Sequence, residues 1–112
     1  MRIIKTQDRD TIVNAILLLS IQIHSVYIAR DERTWIIRGY NSWTKIVNDA
    51  GHDFRSAYHQ LAEYSTKEQA IDVLESLNAW LSMEKPTKHH GYKYIIELDR
   101  YKHFVFPEDS GA

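Results

Sequence analysis

The chain has 112 residues, the length of one ordinary domain, and its 44% apolar and 12% aromatic content suits a folded core rather than a disordered chain. It has no cysteine, which excludes disulfides, thiolate metal sites and cysteine nucleophiles. Fourteen basic and fifteen acidic residues leave a net charge of −1, without the basic excess that a duplex-DNA binder carries.

Arg2 to Thr6 is short and β-branched and reads as a first strand, closed by the polar Gln7-Asp8-Arg9-Asp10. The opening residues lack the apolar core and cleavage site of a signal peptide. The longest apolar run, Ala15 to Leu19, is too short to span a bilayer. A cytoplasmic protein of one domain, residues 1–112, is therefore expected, with no membrane partner. Thr11 to His24 carries both periods: Ile12, Ile16, Leu19 and Ile23 at helical spacing, and Leu17, Leu19, Ile21 and Ile23 in alternation. The cleaner alternation predicts a strand over Ala15 to His24. Val26 to Arg30 and Thr34 to Tyr40 read as two more strand runs, with Asp31, Glu32 and Arg33 at the tip of a hairpin.

Asn41 to His59 is irregular. Ser42 is placed to cap a short helix through Asp49 that Gly51 ends, so a short extra helix is expected within 42–60. Gln60 to Tyr64 reads as a strand that hands over to the strongest signal in the chain. In Tyr64 to Leu81, Ser65/Glu68 and Thr66/Gln69 both have the spacing of a capping box. Ala70, Val73, Leu74, Leu77, Trp80 and Leu81 follow on one stripe, and Pro86 bars continuation, which predicts a principal amphipathic helix over about 65–83. Tyr92 to Leu98 alternates and predicts a strand. Asp99-Arg100 is expected to turn it into a last strand at Tyr101 to Phe106, followed by a mobile acidic tail. The sum is an α+β domain, a mainly antiparallel sheet packed on one principal helix. One helix covers one face of such a sheet. Leu18, Tyr27 and Ile36, expected on the other, call for a second copy, so a homo-oligomer, a dimer or higher, is anticipated.

Catalytic signatures are missing. There is no G-x-S-x-G and no glycine-rich phosphate loop, and none of the four glycines is grouped. His89-His90 lacks a metal-ligand spacing and reads as a solvated loop pair; His52 and His59 read as surface residues. No enzyme activity, cofactor or metal is expected. The richest mixtures of cations and rings are Lys88 to Tyr94 with Asp99 to Phe104, and the hairpin with Arg30, Arg33, Trp35 and Arg38. Rings stack on bases and cations hold phosphates, although strands with tyrosines inward and lysines outward give the same pattern. In strand period Arg38 shares a face with Ile36 and Tyr40, and Trp35 shares one with Ile37. Arg30, Trp35, Arg38, Tyr92, Arg100 and Lys102 are the candidate ligand-binding residues.

Met1-Arg2-Ile3-Ile4, then Tyr64, Thr66, Glu68, Ala70, Val73 and Leu74, then Phe104, Phe106, Pro107 and Glu108 reproduce a three-part pattern. It resembles small proteins encoded by phages and prophages of Gram-positive bacteria, and among them is similar to the anti-Thoeris group. Where the pattern has a Ser-Gln-Asp-Gly turn, this chain has Thr6-Gln7-Asp8-Arg9, and residues 41–59 lie outside it. The anti-Thoeris proteins are non-enzymatic sponges for cyclic ADP-ribose-type signals, some also for cyclic oligonucleotides; none of their ligand residues is transferred here. The resemblance implies a phage accessory protein, in the host cytoplasm, that counters immunity by sequestering a cyclic nucleotide or ADP-ribose-type signal without turnover. The competing expectation is a protein-binding inhibitor or structural phage protein acting through an interface.

Overall fold

The computed structural model describes residues 2–47, 54–87 and 91–111. It is α+β, as the sequence predicts. β1 (Ile3–Lys5) pairs antiparallel with β2 (Ile12–Asn14) and parallel with β6 (His103–Val105) in a small sheet. A second, antiparallel sheet has the order β3 (Leu18–Ala29), β4 (Glu32–Val47), β5 (Phe54–Tyr64). Two helices, α1 (Lys67–Leu81) and α2 (Gly91–Lys102), complete the fold.

The turn after β1 explains a departure noted above. Arg9 stands where the pattern has glycine, and it adopts a left-handed φ of 64°. Asp8 holds that turn: its carboxylate accepts from Thr6 Oγ1 at 2.6 Å and from the Asp10 amide at 3.2 Å. The Thr6 hydroxyl, first among these bonds, keeps the Asp8 pKa below the usual carboxylate value. β2 is a strand that the sequence reading missed. Residues 15–17 form one 3-10 turn instead of the start of the predicted strand, with the Asn14 carboxamide accepting from the Ile16 amide at 3.2 Å. β3 and β4 are joined through Arg30 and Asp31, and Asp31 takes the left-handed φ of 66° that aspartate tolerates better than most residues.

Two predicted elements change. Residues 42–47 and 54–60 are strand, not a short helix, because Trp43, Thr44, Ile46 and Val47 are strand formers and the β4–β5 ladder extends through Val47↔Phe54. The end of the expected helix at Asp49 to Gly51 lies outside the described residues. Tyr92 to Leu98 is helix rather than strand. Tyr94, Glu97, Leu98, Tyr101 and Lys102 form its half-buried stripe at spacings of three and four. Lys93 and Glu97 pair one turn apart at 3.9 Å, and Arg100 and Lys102 sit in the last turn, where cations suit the helix dipole. The final strand is correspondingly shorter, His103–Val105.

α1 begins at the second of the two capping registers. Thr66 is the N-cap and accepts from the Gln69 amide at 3.3 Å. The Gln69 side chain does not reach back to close the box. It donates to the Glu108 carbonyl at 3.0 Å and accepts from Ser110 N and Oγ, each at 3.0 Å. The acidic tail is thus docked rather than mobile. The Pro107 carbonyl accepts from the Tyr64 hydroxyl at 2.7 Å, and Asp109 accepts from the Ser65 amide at 3.1 Å and from its hydroxyl. Burial, and secondarily the Asp109 charge, push the Tyr64 phenol up to about 12.

Ala70, Val73, Leu77 and Trp80 are buried on α1, as the stripe predicts, against Ile37, Leu61, Ala62 and Tyr64 of the long sheet, Ile4 and Val13 of the small one, and Phe106 just after β6. Ile21, Ile23 and Trp35 pack at the margin of this core. Gly39 lies where a Cβ would meet Leu18 and Leu61 at 3.0–3.2 Å, so Leu18 belongs to the covered face, contrary to the sequence reading.

Leu77 is fully buried and Glu75 faces solvent. Leu77→Ala is expected to cost about 2–5 kcal/mol and Glu75→Ala under about 0.5 kcal/mol in denaturant unfolding, and equal midpoints would place the core elsewhere. Hydrogen bonds from the Ser65 hydroxyl, then the Gly111 amide, hold the Asp109 pKa below its usual 3.8. A depressed carboxylate stabilises the fold above its unfolded value and loses that contribution as pH falls through the folded one. The thermal midpoint of the parent should therefore exceed that of Asp109→Asn at pH 6, and the gap should close below about pH 4.

Candidate functional site

The sheet β3–β4–β5 has one face under α1 and, among the described residues, no helix packed on the other. Antiparallel partners project from the same side, so the register places side chains on the free face in rows across three strands. One row is His24, Ile36 and Glu63, the next Gln22, Arg38 and Gln60, and the third Ser20, Tyr40 and Tyr58. Rows lie about 7 Å apart and neighbours within a row about 5 Å, the reach of one nucleotide-sized ligand.

Arg38 is at the centre. Its guanidinium carbon lies 4.3 Å from the Tyr58 ring centroid, and its Nε is buried with no hydrogen-bond partner among the described residues. Tyr58 and Tyr40 have ring centroids 5.7 Å apart, inclined at 51°. Tyr40 meets His24 edge-on, with the hydroxyl and Nε2 hydrogen-bonded at 2.8 Å. Tyr58 is half exposed, whereas Ile36, in the first row, is buried. The cluster offers a fixed positive charge, hydroxyl and amide donors, and rings held at set angles. Such a set suits an anionic, planar ligand: the guanidinium meets phosphate oxygens, and a phenol ring meets a base.

The six residues singled out from the sequence divide. Arg38 is in the cluster. Trp35 is on the opposite face, packed at the margin of the core, as its period with Ile37 implies. Arg30 is exposed in the β3–β4 turn. Tyr92, 85% exposed, opens α2, and Arg100 and Lys102 close it, so the second hairpin that was to bring them beside Arg38 does not form. Arg100 contributes a backbone carbonyl that accepts from Trp80 Nε1 at 2.7 Å. The sequence reading missed His24, Tyr58, Gln22 and Gln60. Alternation places Tyr40 on the Arg38 face, but Tyr58 joins it only through the β4–β5 register.

Two grooves elsewhere fit such a ligand less well. One of about 400 Å³ runs between residues 15–21 and α1, walled by Leu18, Leu19, Ile21, Leu74 and Leu81, with Glu75 at its rim and no cation. The other, about 630 Å³, collects Glu32, Glu63, Glu108 and Asp109, and its one arginine, Arg33, is already stacked on and bonded to Tyr27. An anion is repelled there. Among the described residues no group of three or more histidines and carboxylates is placed to hold a metal ion, and no helix is long and apolar enough to cross a membrane. His59 is exposed; His52, Lys88, His89 and His90 lie outside the described residues.

Comparison with family profiles, curated proteins and solved structures finds no match to this chain.

Proposed function

We propose that this is a binding protein that takes a phosphate-bearing planar ligand, of the cyclic nucleotide or ADP-ribose type, on the free face of the long sheet and holds it chemically unchanged. The observation that carries the reading is the Arg38 guanidinium, which keeps a buried, unpartnered Nε beside Tyr58, Tyr40 and His24. A charge-assisted bond contributes about 1.5–3 kcal/mol and one base–ring stack about 1–3 kcal/mol. Two such bonds and a stack support micromolar binding after ordering costs. In the setting that the resemblance implies, the protein is a phage accessory factor that withdraws a host immune signal. A second reading, a protein-binding module, is favoured by the exposed Ile12, Ile16, Leu17 and Leu19.

Calorimetry with a panel of cyclic nucleotides and ADP-ribose derivatives tests the proposal, with mass spectrometry of the retained species. Arg38→Ala is expected to weaken binding about ten-fold or more, a loss of about 1.4 kcal/mol, and Arg100→Ala to leave it unchanged. Recovery of an altered ligand would make the protein an enzyme. No heat from any ligand would favour the protein-binding reading.

A further inference from the structure

The two edges of the long sheet are unlike. Along β5, the outer edge near its end is occupied: the Gln7 amide donates to the Leu61 carbonyl at 2.8 Å, and the Gln7 side-chain oxygen accepts from the Glu63 amide at 2.8 Å. β5 also carries Arg55 and Glu63. β3 pairs with β4 on one side and, among the described residues, with no strand on the other. It is twelve residues long, LLSIQIHSVYIA, without a lysine, arginine, aspartate, glutamate or proline. Its two register shifts lie at its ends, between Leu18 and Ser20 and between Tyr27 and Ala29, which leaves Ser20 to Tyr27 regular. Soluble proteins block an edge with charge, proline, a central bulge or a covering segment, and β3 has none of these among the described residues.

A row of open amides and carbonyls accepts one kind of occupant, another extended strand. We propose that the occupant is β3 of a second copy, paired antiparallel about a two-fold axis near Ile23. Such an axis stands perpendicular to the sheet and pairs residues of like parity, since an odd residue meets an odd one. Ile21, Ile23 and Ser25 of each copy then stay on the helix side, and Gln22, His24 and Val26 stay on the free side. The two sheets join into one of six strands, with both α1 helices on one side. The absence of charge is what makes the strand self-complementary, because a two-fold axis sets every ionised group near its own copy. Leu19, 73% exposed, and Ile16, 83% exposed, flank the same edge and supply apolar surface that backbone pairing alone lacks. The inference stands on the edge, independently of any ligand on the free face.

The test is the mass of the whole protein by sedimentation equilibrium, with folding of each variant checked by circular dichroism. The parent is expected at twice the chain mass of 13.2 kDa at tens of micromolar. Gln22→Glu and Gln22→Lys should each shift to the single-chain mass, because two like charges then lie diagonally across the axis, about 7–8 Å apart on the same face. Mixing the two variants should restore the double mass. A measurement on the unmodified chain runs beside it: amide exchange over Ser20–Val26 should slow as concentration rises. A single-chain mass for the parent overturns the proposal. So does a double mass that neither charge disturbs, or exchange at Ser20–Val26 that is independent of concentration.

Discussion

Arg2 joins more of this molecule than any other described side chain. Its guanidinium lies between two rings, 4.1 Å from the Trp80 centroid and 4.1 Å from that of Tyr101. Its N–H groups donate to the carbonyls of Leu81 at 3.1 Å, of Tyr101 at 2.9 Å, and of Trp80. All three carbonyls belong to the last turns of α1 and α2, where the dipole is negative, and that of Trp80 also accepts from the Met83 amide at 3.2 Å. A single cation therefore satisfies both helix ends at once. Lysine would keep the charge but lose the planar fork and the stack on each side. Because Arg2 directly precedes β1, the clamp also fixes where that strand lies, and β6, which follows α2, pairs alongside it.

The two ends of α1 are held by the two ends of the described chain. Arg2 binds the C-terminal turn, and Asp109 sits at the N-terminal one, accepting from Ser65 beside the cap. An anion at one end and a cation at the other both match the helix dipole. Between them the Trp80, Phe104 and Phe106 rings meet in series, the first pair tilted at 52° and the second edge-on at 79°, with centroids 5.6 and 5.0 Å apart, and tie the small sheet to the helix. With α1 fixed over the inner face, Ile37, Leu61 and Leu77 are withdrawn from water. The free face is left to Arg38, Tyr40, Tyr58 and His24, whose rings exclude water from the strands beneath, and the buried, unpartnered Nε of Arg38 is the costly polar atom on it.

How legible each part was depends on whether its cause is local. α1 could be read because the Thr66 hydroxyl and the spacing from Ala70 to Leu81 lie within one short window. α2 was misread because Tyr92, Tyr94, Ile96 and Leu98 alternate and favour strands. Its true stripe shares the sequence with the exposed Tyr92, Ile95 and Ile96, so the helical period is blurred. Residues 42–47 were misread for the opposite reason. Ser42 offered a local cap, whereas the ladder that makes them a strand comes from Phe54 to Ser56 across the hairpin. The tail looked mobile since nothing within its own residues holds it; its partners, Ser65 and Gln69, are about forty positions away. The candidate site was half legible. Alternation alone put Arg38 beside Ile36 and Tyr40, but His24 and Tyr58 enter only through inter-strand register, which no single strand encodes.

β3 serves two surfaces at once. Its alternate residues Gln22 and His24 belong to the free face, and its main chain is the open edge. The same positions are where a protein would ordinarily place a lysine or glutamate to blunt an edge. A lysine at position 22 would stand directly beside Arg38, about 5 Å away across the ladder, and repel it. A glutamate there would pair with the guanidinium and compete with an anionic ligand for it. The absence of a lysine or carboxylate at 22 and 24 therefore leaves Arg38 without such a neighbour on β3 and, by the same choice, leaves the edge without its usual protection. Covering that edge with a second copy removes the conflict, since backbone pairing protects the strand without placing a charge on the face.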